Sequence, residues 1–170
     1  YGATGSFDLM TMFQITHTMN YPQWYFIGIT LLIIGMLFKI ATVPFHFWAP
    51  DVYEGSPALT TALMSTLAKV IAIATLFKLV SGLNLIPSLE NQDLLGTFEN
   101  IILVISIASM TVGNIMALRQ VNVKRMLAFS GISHAGFMLI TFLTIATSAG
   151  VLLYYTAAYA LAGIAAFSVI

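Results

Sequence analysis

Three titratable side chains lie inside long apolar stretches of the sequence: Lys39, Lys69 and His134. A charge at bilayer depth costs at least about 2.5–3.5 kcal/mol, and it usually marks an ion pathway or a paired site. At about 1.5 Å of helical rise per residue, all three lie about 15–22 Å from the membrane face at which their stretch begins. Amines and imidazoles near the middle of a bilayer can take up and release protons, so these three are the candidate proton-transfer residues.

Each candidate also has a structural explanation. For the lysines it is a buried ion pair with an acid on another helix, and for His134 it is an interior histidine with satisfied hydrogen bonds. Lys78 and Glu99 lie near the ends of their stretches. We expect both at the membrane interface, where a lysine stem stays in lipid while its ammonium reaches the headgroups.

Hydroxyl groups accompany two of the candidates at helical spacing. Ser65 lies four residues before Lys69, and Ser130 and Thr141 lie four before and seven after His134. Residues at these spacings share a helix face. Small and hydroxylated side chains let helices approach and let water in, so Ser65, Ser130 and Thr141 are predicted as supporting polar residues. Close helix packing alone is the alternative.

Pro44 lies within the first apolar stretch, a few residues after Lys39. Proline lacks a backbone N–H and clashes with the carbonyl four residues earlier, so the helix should kink or break beside Lys39. Free backbone groups at this depth are tolerated only where they are buried or line a watery cavity. A titratable lysine beside such a break is typical of transporter helices that are discontinuous. A kink that serves packing alone is the alternative.

Composition sets the architecture that must position these residues. The 170 residues are 59% hydrophobic and 7% charged, against about 25% charged in a soluble domain. This excludes an ordinary soluble enzyme, a disordered chain and a nucleic-acid binder, which needs a basic patch. The apolar stretches are too long and too uniform for barrel strands. We therefore predict an all-α, polytopic transmembrane helix bundle with one Pro-broken helix.

The bundle is predicted to contain five membrane helices, at 24–48, 57–80, 94–118, 126–147 and 151–170. Residues 1–23 are expected to hold the end of a preceding helix and a loop. The sequence starts without Met and ends in an apolar run, and it has no signal-peptide pattern. We expect a fragment of one longer membrane domain.

Basic residues orient the bundle. Arg119, Lys124 and Arg125 lie together in the link between the third and fourth stretches. Short loops rich in Lys and Arg face the cytoplasm or its organellar equivalent. Counting helices back from this link, the acidic residues Asp51 and Glu54 face the same side.

No motif for a bound cofactor or metal is present in the sequence. The absence of cysteine excludes disulfides, zinc–thiolate sites and iron–sulfur clusters. No P-loop, paired carboxylate or dinucleotide fingerprint occurs, and His46 has no partner at a metal-ligand spacing. We expect neither a cofactor nor a metal in this chain.

Two long runs resemble one known family. They are FKIATVPFHFWAPDVYEGSP at 38–57 and GNIMALRQVNVKRMLAFSGISHAGF at 113–137. Both closely resemble the antiporter-like membrane subunits of respiratory complex I, the proton-pumping NADH–quinone oxidoreductase, and the likeness extends over about residues 24–170. The resemblance implies part of a fold with 14 membrane helices built on two inverted five-helix repeats, each with a broken helix.

The resemblance also implies roles for the candidates. Lys39 would be the proton-handling lysine of the first broken helix, and Lys69 the connecting lysine on the next helix. His134 would lie on a central polar axis. The family pairs the Lys39 equivalent with a glutamate on an earlier helix and uses a lysine on the second broken helix, and neither region is present in this sequence.

The implied function is that of a non-redox, proton-translocating subunit driven by quinone reduction elsewhere in the complex. NADH, FMN, iron–sulfur clusters and quinone would be bound by other subunits. The implied partners are the lipid bilayer and other membrane subunits, especially neighbouring antiporter-like ones, with no nucleic acid. The location would be a bacterial inner membrane, or alternatively an organellar one. The rival hypotheses are a subunit of a secondary sodium/proton antiporter without redox partners, and a purely structural scaffold.

Overall fold

The structure is a computed structural model, and it describes residues 2, 5–8, 11–12, 23–82 and 92–170. The helices in order are α1 (Gln23–Ile40), α2 (Trp48–Gly55), α3 (Ala58–Ser65), α4 (Leu67–Gly82), α5 (Gln92–Ala117), α6 (Val123–Ile140), a 3₁₀ turn (Thr141–Thr144) and α7 (Ile145–Ser168). The described part has no strand, which confirms the all-α class. Most of the loop and helix end predicted at 1–23 lies outside the described residues.

Four described segments are long and apolar enough to cross a membrane. They are Ala58–Ser81, Glu99–Ala117, Val123–Leu143 and Ala149–Ser168. The first predicted stretch, 24–48, differs: its apolar helix is the shorter Ile27–Ile40. The chain then leaves helical geometry and resumes it only at Trp48.

α1 ends on a backbone cap before the proline is reached. The amide of Ala41 donates to the carbonyl of Phe38 at 3.0 Å, and the amide of Thr42 donates to the carbonyl of Leu37 at 3.1 Å. Ala41 has φ +63°, so this is a Schellman cap with alanine in the left-handed position that glycine usually takes. The break lies beside Lys39, as proline predicts, but the cap ends the helix at Ile40, four residues before Pro44.

A second interruption separates α3 from α4 at Thr66, within the stretch predicted as one helix at 57–80. Three donors converge on the carbonyl of Ala62: Ser65 Oγ at 3.0 Å, Thr66 Oγ1 at 2.7 Å and the Thr66 amide at 3.1 Å. Hydroxyls that bond back to the preceding turn bend helices. Two such residues in succession therefore account for the interruption, which apolar periodicity does not reveal.

α5 and α6 form the most extensive helix pair of the bundle. Ser106 Oγ donates to the carbonyl of Gly136 at 2.5 Å. A Cβ on Gly136 would lie 2.8 Å from the Ser106 carbonyl, and one on Gly113 would lie 2.7 Å from the Ser133 amide. Small residues at both contacts let the two backbones touch, as is usual in membrane bundles.

Two buried clusters hold the remaining helices together. One joins α1, α4, α5, α6 and α7 around Ile40, Leu76 and Leu139. The other joins the break and α2 to α6 and α7 around Ala41, Tyr53 and Ile132. The start of the first interruption, at Ala41 and Thr42, and the interruption at Thr66 are therefore buried in protein, as irregular backbone at membrane depth requires.

Candidate functional site

Lys69 lies three residues after the Thr66 interruption and is only 2% exposed. Among the described residues, no hydrogen-bond partner is within reach of its Nζ. The ring centroid of Tyr53 lies 6.0 Å from Nζ. A buried amine without a partner is costly, and the described residues supply neither an ion pair nor a hydrogen bond that would offset this cost.

A cavity of about 190 Å³ lies at the junction of α3, α6 and α7. Its lining includes three residues that the sequence singled out, namely Ser65, Ser130 and His134. Tyr159 and Gly131 also line it. The volume is room for several waters, and these side chains supply the polar partners that such waters need.

Gly131 brings the buried amine to this cavity. A Cβ at Gly131 would lie 2.6 Å from Lys69 Nζ and 2.9 Å from Tyr159 Oη. The amine and the phenol therefore both approach the bare backbone of α6 at this residue. Any side chain at this position would separate them or force one of them to move.

His134 is half-buried, and its ring lies between two tyrosines of α7. Its Nδ1 is 2.8 Å from Tyr155 Oη, and its ring centroid is 5.2 Å from that of Tyr159. Tyr155 and Tyr159 are one helical turn apart, so they present both hydroxyls on one face of α7. Lys69, Tyr159, His134 and Tyr155 therefore lie near one another, and all four side chains can donate or accept protons.

Sequence reasoning missed both tyrosines. The pattern that could have identified them is a pair of tyrosines four residues apart within an apolar stretch. A tyrosine hydroxyl buried at membrane depth usually requires a hydrogen-bond partner.

Two predicted residues are not brought to the cavity. Lys39 has an exposed side chain near the end of α1, and it makes no hydrogen bond or ion pair with any described residue. Thr141 starts the 3₁₀ turn, where its hydroxyl donates to the carbonyl of Met138 at 2.6 Å, and it is not among the cavity's lining residues.

Tyr53 lies in a short helix that follows the break, where an aromatic residue suits the membrane interface. It is instead 1% exposed, within the cluster that includes Phe129 and Ile132. Burial raises the pKa of Tyr53 above its ordinary value, so its phenol stays protonated. Among the described residues its hydroxyl has no hydrogen-bond partner.

The charged links meet at one end of the bundle. Arg125 Nη1 lies 2.8 Å from Asp51 Oδ1 and 2.8 Å from Glu54 Oε2. Asn122 caps α6 through a 3.0 Å hydrogen bond from the Lys124 amide to Oδ1, and its side-chain amide donates to Glu54 at 3.0 Å. The basic and acidic links therefore share one face, as the loop-charge count requires. The hydrogen bond from Arg125 holds the pKa of Glu54 below its ordinary value.

The described residues contain no group of three or more His, Asp or Glu side chains close enough to hold a metal ion.

Comparison with known proteins places these features in a family. The family model for "NADH:quinone oxidoreductase/Mrp antiporter, TM" matches residues 1–170. NADH-quinone oxidoreductase subunit N of Flavobacterium johnsoniae is 82% identical over 170 residues, which are 100% of this chain and 37% of that protein. Subunit N of Cytophaga hutchinsonii is 44% identical over 172 residues, covering 100% of this chain and 35% of that protein. Subunit N is also the branch that the PDVYEG run at 50–55 resembles most.

A solved structure gives the same result. Respiratory complex I from Thermus thermophilus with bound aureothin contains a chain that matches with a TM-score of 0.75 and 35% identity, over 99% of this chain and 34% of that one. The present chain spans a little over a third of the length of the Flavobacterium and Cytophaga relatives. Its apolar helices and bacterial relatives identify a multi-pass segment of the bacterial inner membrane. The chain belongs to the NADH:quinone oxidoreductase/Mrp antiporter transmembrane family.

Proposed function

We propose that the protein carrying this chain is a non-redox, proton-translocating membrane subunit of an NADH–quinone oxidoreductase. The observation that carries the proposal is the buried Lys69 amine, which has no hydrogen-bond partner among the described residues and lies near Gly131, in the wall of a cavity that His134 also lines. Quinone reduction in other subunits would supply the energy. NADH, FMN, iron–sulfur clusters and quinone would be bound there, and neighbouring antiporter-like subunits would be the contacting partners.

The proposed chemistry in this chain is proton transfer along the middle of the membrane. Protonated Lys69 releases a proton toward the cavity, and neutral His134 accepts it at a ring nitrogen. Only N–H and O–H bonds form and break, so no redox group is needed at the site. The serine hydroxyls of Ser65 and Ser130 can hold the waters of the cavity in place.

Lys39 is proposed as the group that exchanges protons with Lys69. Support comes from its place in the 38–57 run and from the interruption that follows it within two residues. The Lys39 side chain is exposed in this chain. The similar subunit N proteins are nearly three times as long, so other helices of such a protein can cover it. We propose no part in proton transfer for Thr141, which is a polar residue directly after the end of α6.

The sodium/proton antiporter alternative is less well supported, because the similar curated proteins are described as NADH-quinone oxidoreductase subunit N. It predicts sodium-dependent proton exchange in the absence of a co-purifying quinone-reducing module.

The test uses the full-length protein in its assembled complex, in inverted membrane vesicles. Lys39→Met and Lys69→Met should each strongly reduce proton pumping, while NADH oxidation with an artificial acceptor continues at the normal rate. Lys78→Met is the matched control, because Lys78 is an exposed lysine near the end of α4. Normal pumping in both test variants would overturn the proposal and leave a structural scaffold.

A further inference from the structure

We infer that Tyr159 carries the proton between Lys69 and His134, and that Gly131 is required because it leaves the gap between the amine and the phenol open. This rests on the proposed proton-translocating function. It adds a hydroxyl group and a steric requirement that the two titratable residues alone do not supply.

The first step is the short separation between the amine and the phenol. Lys69 Nζ and Tyr159 Oη lie 2.6 Å and 2.9 Å from one point, the position of a Cβ on Gly131. Lys69 is 2% exposed, and its Nζ has no hydrogen-bond partner among the described residues. The amine and the phenol are therefore close without a direct hydrogen bond, and a water or a side-chain rotation can join them.

The second step leads from the phenol to the imidazole. The rings of Tyr159 and His134 have centroids 5.2 Å apart, and both residues line the same cavity. Tyr155 Oη is already bonded to His134 Nδ1 at 2.8 Å. In the tautomer whose Nδ1–H donates to Tyr155 Oη, Nε2 is the unprotonated ring nitrogen and can accept a proton. The transfer uses this tautomer, in which Tyr155 acts as a positioning residue that fixes the imidazole.

The transfer balances without any further reactant. A tyrosine hydroxyl can accept one hydrogen bond and donate another at the same time. Protonated Lys69 gives a proton to Tyr159 Oη while the phenol proton passes, directly or through a cavity water, to His134 Nε2. The products are a neutral amine, an unchanged phenol and an imidazolium. Rotation of the hydroxyl resets the phenol, and the next transfer follows once Lys69 has regained a proton and His134 has released one.

The main test is Tyr159→Phe, which keeps the ring and removes only the hydroxyl. In the full-length protein within its complex, we expect the rate of proton transport to fall about a hundredfold, at the low end of what one positioned proton carrier contributes. The residual transport should show a larger solvent deuterium effect, because proton transfer becomes limiting. Tyr154→Phe is the matched control, since Tyr154 is on the same helix and 78% exposed.

A second variant tests the steric part without removing any polar group. Gly131→Ala places a methyl group between Lys69 Nζ and Tyr159 Oη, and it should reduce transport as Tyr159→Phe does. Gly150→Ala on α7 is its control, because a Cβ there meets nothing within 4 Å. Rates are taken per assembled complex, measured by artificial-acceptor NADH oxidation, so that loss of assembly is not counted as loss of transport.

The outcomes separate this inference from the proposed function. If Lys69→Met abolishes transport while Tyr159→Phe and Gly131→Ala transport normally, the phenol is not on the path and this inference is wrong, although the proposed function stands. If Lys69→Met and Lys39→Met also transport normally, both are wrong. Loss in all three variants with normal Tyr154→Phe and Gly150→Ala supports both.

Discussion

The amide of Val43, inside the break that follows α1, donates a 3.0 Å hydrogen bond to Ser109 Oγ on α5. Ser109 is fully buried and also donates to the carbonyl of Ile105 at 2.7 Å. The Ser109 hydroxyl thus accepts a hydrogen bond from a backbone amide that lies outside any helix and bonds no carbonyl among the described residues. The break between α1 and α2 is therefore stabilised by a serine on α5.

Ser109→Ala should destabilise the protein by about 1 kcal/mol, because it leaves the partly buried Val43 amide without its partner. The measurement is the thermal unfolding midpoint of the purified full-length protein in detergent. Thr111→Ala is the control on the same helix, since that hydroxyl is exposed and bonds only its own helix at Ile107. An unchanged midpoint for Ser109→Ala would contradict the assigned role.

Lys69→Met should raise the unfolding midpoint even though it abolishes transport. The substitution replaces a buried amine without a hydrogen-bond partner by an apolar chain of similar length, which removes a penalty of about 1–3 kcal/mol. Lys78→Met should leave the midpoint nearly unchanged, because Lys78 is exposed. A lower midpoint for Lys69→Met would show that the amine is well solvated or paired in the assembled protein.

Gly136→Ala should weaken the α5–α6 pair. The new Cβ would lie 2.8 Å from the Ser106 carbonyl and 3.0 Å from the Met110 amide, both of which are backbone atoms. Overpacking of this kind costs about 1–3 kcal/mol. Thermal unfolding measures the effect, and Gly35→Ala on α1, where nothing lies within 4 Å, should not lower the midpoint. Equal midpoints for the two variants would argue against the close helix contact.

Stability on the acid side should depend on Glu54. The hydrogen bond from Arg125 lowers the pKa of Glu54 in the folded protein. The carboxylate therefore adds stability above the ordinary glutamate pKa of about 4.3, and this contribution is lost as pH falls through the lower folded value. Unfolding midpoints between about pH 7 and pH 3 measure it.

Glu54→Gln should be less stable than the wild type at neutral pH and should lose less stability on acidification. Glu99→Gln is the comparison, because Glu99 makes no ion pair with the described residues. If the unfolding midpoints of Glu54→Gln and the wild type fall equally on acidification, the ion pair between Glu54 and Arg125 does not contribute to stability.

The sequence predicted the features that depend on local composition and periodicity. Long apolar stretches with few charges leave only membrane helices, because backbone polar groups must be satisfied within each segment. Proline beside Lys39 located the break, and helical spacing placed Ser130 near His134. The Ser130–His134 spacing lies within one helix, so sequence separation is enough to derive it, whereas the Thr66 interruption puts Ser65 and Lys69 in different helices.

Contacts between helices depend on how far neighbouring helices are shifted along their axes and rotated about them. The spacing of residues along the sequence determines neither quantity. The tertiary structure alone brought Lys69 of α4 and Tyr159 of α7 together over Gly131 of α6, and it alone placed Ser109 under the break. It also buried Tyr53, which its position after the break did not predict. The sequence determined that buried amines would lie in a membrane bundle. Which polar groups face them was decided by packing, because small residues such as Gly131 and Gly136 set how closely and at what height the helices meet.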